Sequence, residues 1–252
     1  MRTSRAFAKW VRDWVDLEKS SLEGALLKAV EYAHGNMLDV GCGDKPYELF
    51  FSSRVNSHIG VEFEGTYRSS YSARQARADV LYDGCSLPFA DATFQTILST
   101  QVLEHVKDPK ALFREMVRVL TPGGRIILTV PFSYRIHSAP HDFHRFTSYA
   151  LEALACDQNL EVEHLMQRGG FWFVMGQKLN SHLAFQWAHM DGAVQEMGVF
   201  TYCEPQARRS RWWMLPFVGP LILVSSTLAR ILDRLDPDSS ETLGYLLVAR
   251  KK

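Results

Sequence analysis

No excess of charge of either sign marks this chain, in which 28 Lys and Arg balance 28 Asp and Glu over 252 residues. The broad basic field that grips a phosphate backbone is therefore missing, and nucleic acid is not expected as a partner. Cysteine is scarce. The four present, Cys42, Cys85, Cys156 and Cys203, are scattered without a C-x-x-C pair, which gives neither a zinc framework nor a disulfide scaffold and suits a reducing compartment. The first seven residues, Met1 to Phe7, carry charge but lead into no apolar core of signal length, so residence in the cytoplasm is expected. The length suits one sizeable α/β domain with an insertion, or at most two small domains.

The stretch Asn36-Met-Leu-Asp-Val-Gly-Cys-Gly-Asp-Lys-Pro46 organises the rest. Met37, Leu38 and Val40 form a short apolar run broken only by Asp39, the pattern of a central parallel strand buried on both faces. Gly41 and Gly43 end it and let the backbone turn sharply, with no Cβ in the way of a ligand. Pro46 suits the first turn of a helix. A second apolar run, Ile59-Gly60-Val61, ends at Glu62, about 20 residues on, where a doubly wound sheet places its ribose-binding acid. Glu64 is the rival. A pyrophosphate-binding turn needs a third glycine where this chain has Pro46, so the corner is expected to take an adenosine-containing ligand without bridging phosphates.

Four segments in order carry a resemblance: Leu38-Asp-Val-Gly-Cys-Gly43; Leu87-Pro-Phe89 with Asp91 and Phe94; Val102-Leu-Glu-His-Val106; and Arg118-Val-Leu-Thr-Pro-Gly-Gly-Arg125. The series resembles the class I S-adenosylmethionine-dependent methyltransferases of the type 11 kind, over roughly residues 36 to 132. The resemblance implies a Rossmann-like α/β fold with a seven-stranded, mostly parallel sheet whose last strand is antiparallel. It implies S-adenosyl-L-methionine as cofactor, held by Asp39, Gly41, Cys42, Gly43, Glu62, Asp79, Val80, Thr100, Gln101 and Val102. Asp79, read as closing the third strand, would meet the adenine amino group, with Asp83 in competition. Lys45 stands where the family commonly has a third glycine.

Along the chain, residues 1–35 read as a helical cover or a lid, in which Phe7, Trp10, Val11, Trp14 and Val15 form one apolar stripe. Ser20 and Glu23 have the spacing of a capping box for a second helix. Residues 36–168 with 243–252 read as the core, and 169–242 as an insertion before the last strand. The segment from Pro131 to Thr147 gathers Tyr134, Arg135, His137, His141, Asp142, His144 and Arg145 at the carboxyl end of the fifth strand, a place where loops carry chemistry. A metal site, a general base working with Asp142, and a hydrogen-bonded structural loop all remain open; no metal is assigned, and His141 or His144 is the expected base. The pattern His137…Pro140…Asp142…Arg145-Phe-Thr147 is similar to one in bacterial methyltransferases acting on glycans or lipid-linked saccharides.

From Trp212 to Ala229 no residue carries a charge, and Arg208, Arg209 and Arg211 precede the run. Pro216, Gly219 and Pro220 lie inside it. A helix on the bilayer surface or against protein is expected over a true span. The function expected is methylation of an oxygen on a small-molecule, glycan or lipid-linked substrate, in the cytoplasm with peripheral contact at the inner membrane face. The alternatives are a non-catalytic scaffold or membrane-associated interaction protein that keeps the fold, and a nicotinamide-dependent enzyme on a related sheet. The oligomeric state is left open.

Overall fold

The computed structural model describes residues 13–65, 77–187, 211–238 and 240–252. Phe7, Trp10 and Val11 of the expected stripe, Cys203, Arg208 and Arg209 lie outside them. Contacts divide the chain into two compact units. One comprises residues 24–132, 143–166 and 245–252; the other comprises 1–23, 133–142 and 167–244. The loop 133–142, read from sequence with the core, thus groups with the insertion.

The first unit is built on a seven-stranded sheet of order β3-β2-β1-β4-β5-β7-β6, with β7 antiparallel. The strands are β1 Gly35–Val40, β2 Val55–Phe63, β3 Val80–Tyr82, β4 Phe94–Thr100, β5 Leu120–Pro131, β6 Leu160–Arg168 and β7 Gly244–Lys251. Met37, Leu38, Asp39 and Val40 are all buried, as expected of a strand flanked on both sides. Leu38 pairs with Ile59 of β2 and with Ile97 of β4, all in parallel. The chain leaves β1 for β2 on one side and later returns to place β4 on the other. That reversal opens a crevice at the carboxyl ends of β1 and β4, where open α/β sheets bind ligands.

Local chemistry sets the helix ends. Helix α1 (Leu17–Ala29) precedes β1, and the single turn α2 (Glu48–Phe51) joins β1 to β2. Ser20 does not cap α1, since it lies inside the helix with its hydroxyl on Leu17 O. Asp16 does the capping, accepting Lys19 N–H at 2.9 Å. Burial pushes the Asp16 carboxyl up to about 6, and the capping N–H offsets part of that. After β4, α3 (Pro109–Val119) starts on Asp108, which accepts Ala111 N–H at 3.0 Å, and buries Leu112, Phe113, Met116 and Val117 on one stripe. Thr147 caps α4 (Ser148–Asp157) by accepting Ala150 N–H.

The Thr-Pro-Gly-Gly stretch from Thr121 to Gly124, which has the composition of a turn, is absorbed into β5. Phe94 pairs with Leu120, and the next paired residue, Thr96, meets Arg125. The residues between loop out at Gly123, whose φ of 78° is the left-handed region that suits glycine.

In the second unit, α5 (Phe171–Ser181) and α6 (Leu215–Leu235) follow β6. An added Cβ on Gly176 of α5 would lie 2.8 Å from the Ala229 Cβ of α6, so the helices approach at a small-residue contact. Buried Arg168 reaches Glu18 at 2.9 Å within the same unit.

Phe113 is fully buried in the sheet-packing cluster with Phe94, Met116, Ile126 and Leu247. Phe113→Ala is expected to lower unfolding free energy by about 3–5 kcal/mol, from lost transfer energy plus the cavity. Urea titration would show a lower midpoint at an unchanged slope.

Candidate active site

The bend after β1 uses its two glycines for different reasons. Gly41 (φ 73°) donates its N–H to Val61 O at 2.9 Å, and a Cβ there would come within 2.4 Å of Val102 Cγ2. Gly43 (φ 52°) has nothing within 4 Å of where its Cβ would be. The first glycine lets the wall of the crevice close against the bend; the second leaves open space above bare backbone.

Lys45, at the position where a further glycine is usual in the related family, also adopts a left-handed backbone, φ 55°. That conformation costs a side-chain-bearing residue about 1–2 kcal/mol. Its buried side chain turns under the bend, and the ammonium donates to Asp79 Oδ2 at 2.5 Å and to His58 O at 3.2 Å. The ion pair and hydrogen bonds offset the strain. The same stem explains Gly60, where a Cβ would meet Lys45 Cε at 2.5 Å.

Glu62 sits at the carboxyl end of β2 and faces the bend. Its Oε2 accepts the Gly43 N–H at 3.0 Å and its Oε1 accepts Phe63 N–H at 3.1 Å. A carboxylate offers about four acceptor directions, so two remain for a ligand. Burial raises the Glu62 carboxyl above its ordinary value, the two N–H groups work against that, and Asp39 adds to it.

Asp39 is buried beneath the bend, with Oδ2 3.0 Å from His58 Nε2, while Oδ1 has no hydrogen-bond partner among the described residues. Burial pushes Asp39 up and His58 opposes it. Burial, then Asp39 and Glu62, push the Cys42 thiol up to about 12, so Cys42 stays a neutral thiol in the bend. The acids concentrated here suit a ligand with positive charge.

Asp79 stands at the start of β3 and does not close it, which corrects the sequence reading. The pairing of Val61 with Val80 puts Asp79 one step before the first β3 pair, and its Oδ2 accepts the Gly60 N–H at 2.7 Å. Burial raises its carboxyl, but the Gly60 N–H and Lys45 pull harder and hold it below the ordinary value. The acid at the carboxyl end of the strand is Asp83, after Tyr82. Its exposed carboxylate accepts the N–H groups of Cys85 and Ser86, at 2.8 and 3.2 Å, and is held low by them. Three residues are too few for period-two alternation to show which end of the strand an acid occupies.

At the end of β4, Thr100 pairs with Thr129 and Gln101 turns into the left-handed region, φ 56°. The Gln101 N–H reaches Thr129 O at 3.0 Å and its side-chain amide donates to Thr129 Oγ1 at 3.2 Å. Strained non-glycine backbone of this kind concentrates at functional positions. Val102 follows and presses on Gly41.

The histidine loop is divided between the two units. In the second unit, Asp142 Oδ2 accepts the His137 N–H at 2.9 Å and lies 3.4 Å from His137 Nδ1. The Tyr134 ring stands edge-on to His137 at 5.2 Å. Arg135 stacks on Phe185 at 3.7 Å. His141 is exposed. His144 belongs to the first unit, its ring 5.7 Å from Phe146 and its N–H on Glu104 O at 3.3 Å. The residue brought against Asp142 with ring orientation is His137, which sequence spacing alone did not single out.

A family model described as a methyltransferase domain matches residues 38–128. An uncharacterized methyltransferase of Mycobacterium sp. (strain JLS) is 33% identical over 183 residues, covering 70% of this chain and 68% of that protein. The chain belongs to the methyltransferase family. In this methyltransferase, the region matched by the family model, residues 38–128, ends before the histidine loop and the insertion begin. A relative from Mycobacterium leprae (strain TN), also an uncharacterized methyltransferase, is 37% identical over 113 residues, 43% of this chain and 40% of its own length. Among solved structures, the YcgJ protein of Bacillus subtilis superposes with a TM-score of 0.52 at 19% identity, covering 92% of this chain and 98% of its own. An S-adenosylmethionine-dependent methyltransferase from Mesorhizobium loti gives 0.51 at 16% identity, covering 93% and 100%. These likenesses confirm the class I fold of the methyltransferase. Open space at Gly43, acceptor capacity left on Glu62 and an orphan acid oxygen beneath the bend fit an adenosyl group carrying a cation.

Glu62→Gln replaces an acceptor with a donor at equal volume, and is expected to weaken S-adenosylhomocysteine binding by about 10- to 100-fold, the worth of one or two hydrogen bonds to a charged group. The ionised form supplies the acceptors, so wild-type affinity should fall as pH drops through the raised Glu62 value. That loss begins at a higher pH than an ordinary glutamate, at 4.5, would give. Calorimetry across pH checks both, the acid limb being absent from the variant.

Proposed function

We propose that this methyltransferase transfers the methyl group of S-adenosyl-L-methionine to an oxygen of a small-molecule, glycan or lipid-linked acceptor. The observation that carries the cofactor reading is the Gly43 N–H held by the Glu62 carboxylate beside open space at Gly43. In this reading Glu62 accepts the ribose hydroxyls and the backbone of Gly41, Cys42 and Gly43 lies under the ligand. Asp39 supplies negative charge from below. Thr100, Gln101 and Val102 form a wall, and Val80 with Asp83 forms the adenine end. Asp79 acts from behind, by locking Lys45 and Gly60 in place.

The cofactor supplies a methyl on a positively charged sulfur, already strongly electrophilic, so the transfer is an in-line displacement. What the chain must add is alignment of the acceptor, exclusion of water and removal of one proton. His137 is the residue we assign to the proton. Its Nδ1 lies 3.3 Å from the Arg135 carbonyl and 3.4 Å from Asp142 Oδ2, two acceptors that hold the ring and favour a proton on Nδ1. An oxygen acceptor is supported by that pair, since a hydroxyl must lose its proton as it attacks. A glycan or lipid-linked acceptor is supported by the loop pattern from His137 to Thr147.

Calorimetry with S-adenosylhomocysteine should give saturable heat at one site; no heat at any workable concentration would defeat the cofactor reading. Labelled methyl transfer into lipid-linked glycan and small-molecule extracts should reveal the acceptor class. On that acceptor, His137→Ala should lower turnover by roughly 100-fold or more. His137→Gln should not restore it, and S-adenosylhomocysteine binding should be unchanged in both. Loss of the acidic limb of the turnover profile separates proton removal from a structural role, and full activity in His137→Ala would remove the base assignment.

A further inference from the structure

The insertion carries an outward surface that methyl transfer does not use. Along α6 and the turn before it, Trp213, Phe217, Leu221, Val224, Leu228, Ile231 and Leu235 are all exposed. They recur every three or four residues, which puts them on one stripe of the helix. At 1.5 Å per residue the stripe runs about 33 Å. Phe217 keeps 67% of its surface open and Leu235 keeps 75%. A water-facing helix surface is normally broken by charge, yet no residue from Trp212 to Ala229 has any.

The rotation of α6 about its axis is fixed by polar contacts on the opposite face. Ser226 is buried, receives Asn180 Nδ2 at 2.8 Å and donates to backbone carbonyls. The Trp14 indole donates to Thr227 Oγ1 at 3.1 Å. Arg230 reaches Trp14 O at 2.8 Å, stacks on the Trp14 ring at 4.6 Å and donates to Ser20. Asp233 accepts Gly170 N–H at 3.0 Å at the start of α5. Turning the apolar stripe inward would break all of these, so its exposure is built into the unit.

We infer that this stripe is a docking surface for an anionic lipid bilayer, on which α6 lies along the interface. Charge and residue type at the amino end carry the choice of partner. Exposed Arg211 precedes Trp212 and Trp213, and the sequence adds Arg208 and Arg209 just before. Cations followed directly in the sequence by tryptophans and then by an apolar stripe match a negatively charged headgroup layer above acyl chains. A crossing helix needs apolar surface all round, and the Ser226, Thr227 and Arg230 face denies it. On α5, exposed Lys178 between Met175 and Leu179 repeats the combination of apolar surface and cation.

The test is vesicle flotation of the full chain with phosphatidylcholine alone and with added phosphatidylglycerol. The protein should float with the anionic vesicles, several-fold less with the neutral ones, and less again at high salt. The double variant Phe217→Asp with Leu221→Asp should lose binding by roughly tenfold or more, because two anchors are replaced by charges at the surface. Both positions are exposed, so its circular dichroism and S-adenosylhomocysteine affinity should match wild type. Unchanged flotation of that variant, or no flotation of wild type, overturns the inference. So does a salt-insensitive dimer in sedimentation that the same substitutions split, which would give the stripe to a second copy. The lipid readout is independent of the cofactor, so its failure would leave the proposed function standing.

Discussion

The hydrogen bond from the Gly43 N–H to the Glu62 carboxylate joins the bend after β1 to the end of β2 by a charged side chain, beside the backbone bond from Gly41 to Val61, and gives the crevice its floor. Its strength comes from the charge on the acceptor and from burial, which also raises the cost of keeping that charge. Burial raises this carboxyl and the two N–H groups work against that, while acceptor capacity stays in reserve. Everything else in the corner protects this arrangement. Val102 closes on Gly41, Gln101 is bent into an unusual backbone state, and the Lys45 ammonium holds Asp79 and the β2 backbone from below.

Substitution of a lysine for a glycine at a left-handed position shows how sequence departures are absorbed. Lys45 pays conformational strain that a glycine would avoid, yet it buries a stem against Gly60 and places a cation on Asp79. Asp79 is half exposed, so the pair is screened and its net contribution is modest. Its effect is geometric: it fixes where the backbone of the bend lies relative to β2.

The two units divide the chemistry by physical type. The sheet unit gathers buried acids, open backbone and strained turns at the carboxyl ends of its strands. The other unit gathers the His137–Asp142 pair, the stacked Arg135 and an apolar helix whose polar groups are spent on one side. Short buried polar links such as Asn180 to Ser226 cost little when satisfied and forbid other rotations of the helix.

Much of the sheet unit was legible in the chain itself. A buried apolar run, a glycine pair and an acid at the end of the next run are local patterns, and periodicity with turn chemistry is enough to read them. The stripe of α3 and its Asp108 cap follow from spacing in the same way. What sequence could not decide were choices among neighbours of the same type. Asp79 and Asp83 were told apart only when Val80 was paired with Val61. Asp16 replaced Ser20 as the cap because the helix begins one turn earlier than the Ser-x-x-Glu spacing implied. Among three histidines on one loop, only the folded backbone placed Asp142 on the ring of His137. Residue type and order therefore determined the class of fold and the family. Register, helix rotation and the pairing of side chains distant in sequence were decided by packing, because those depend on which surfaces bury one another and not on any local pattern.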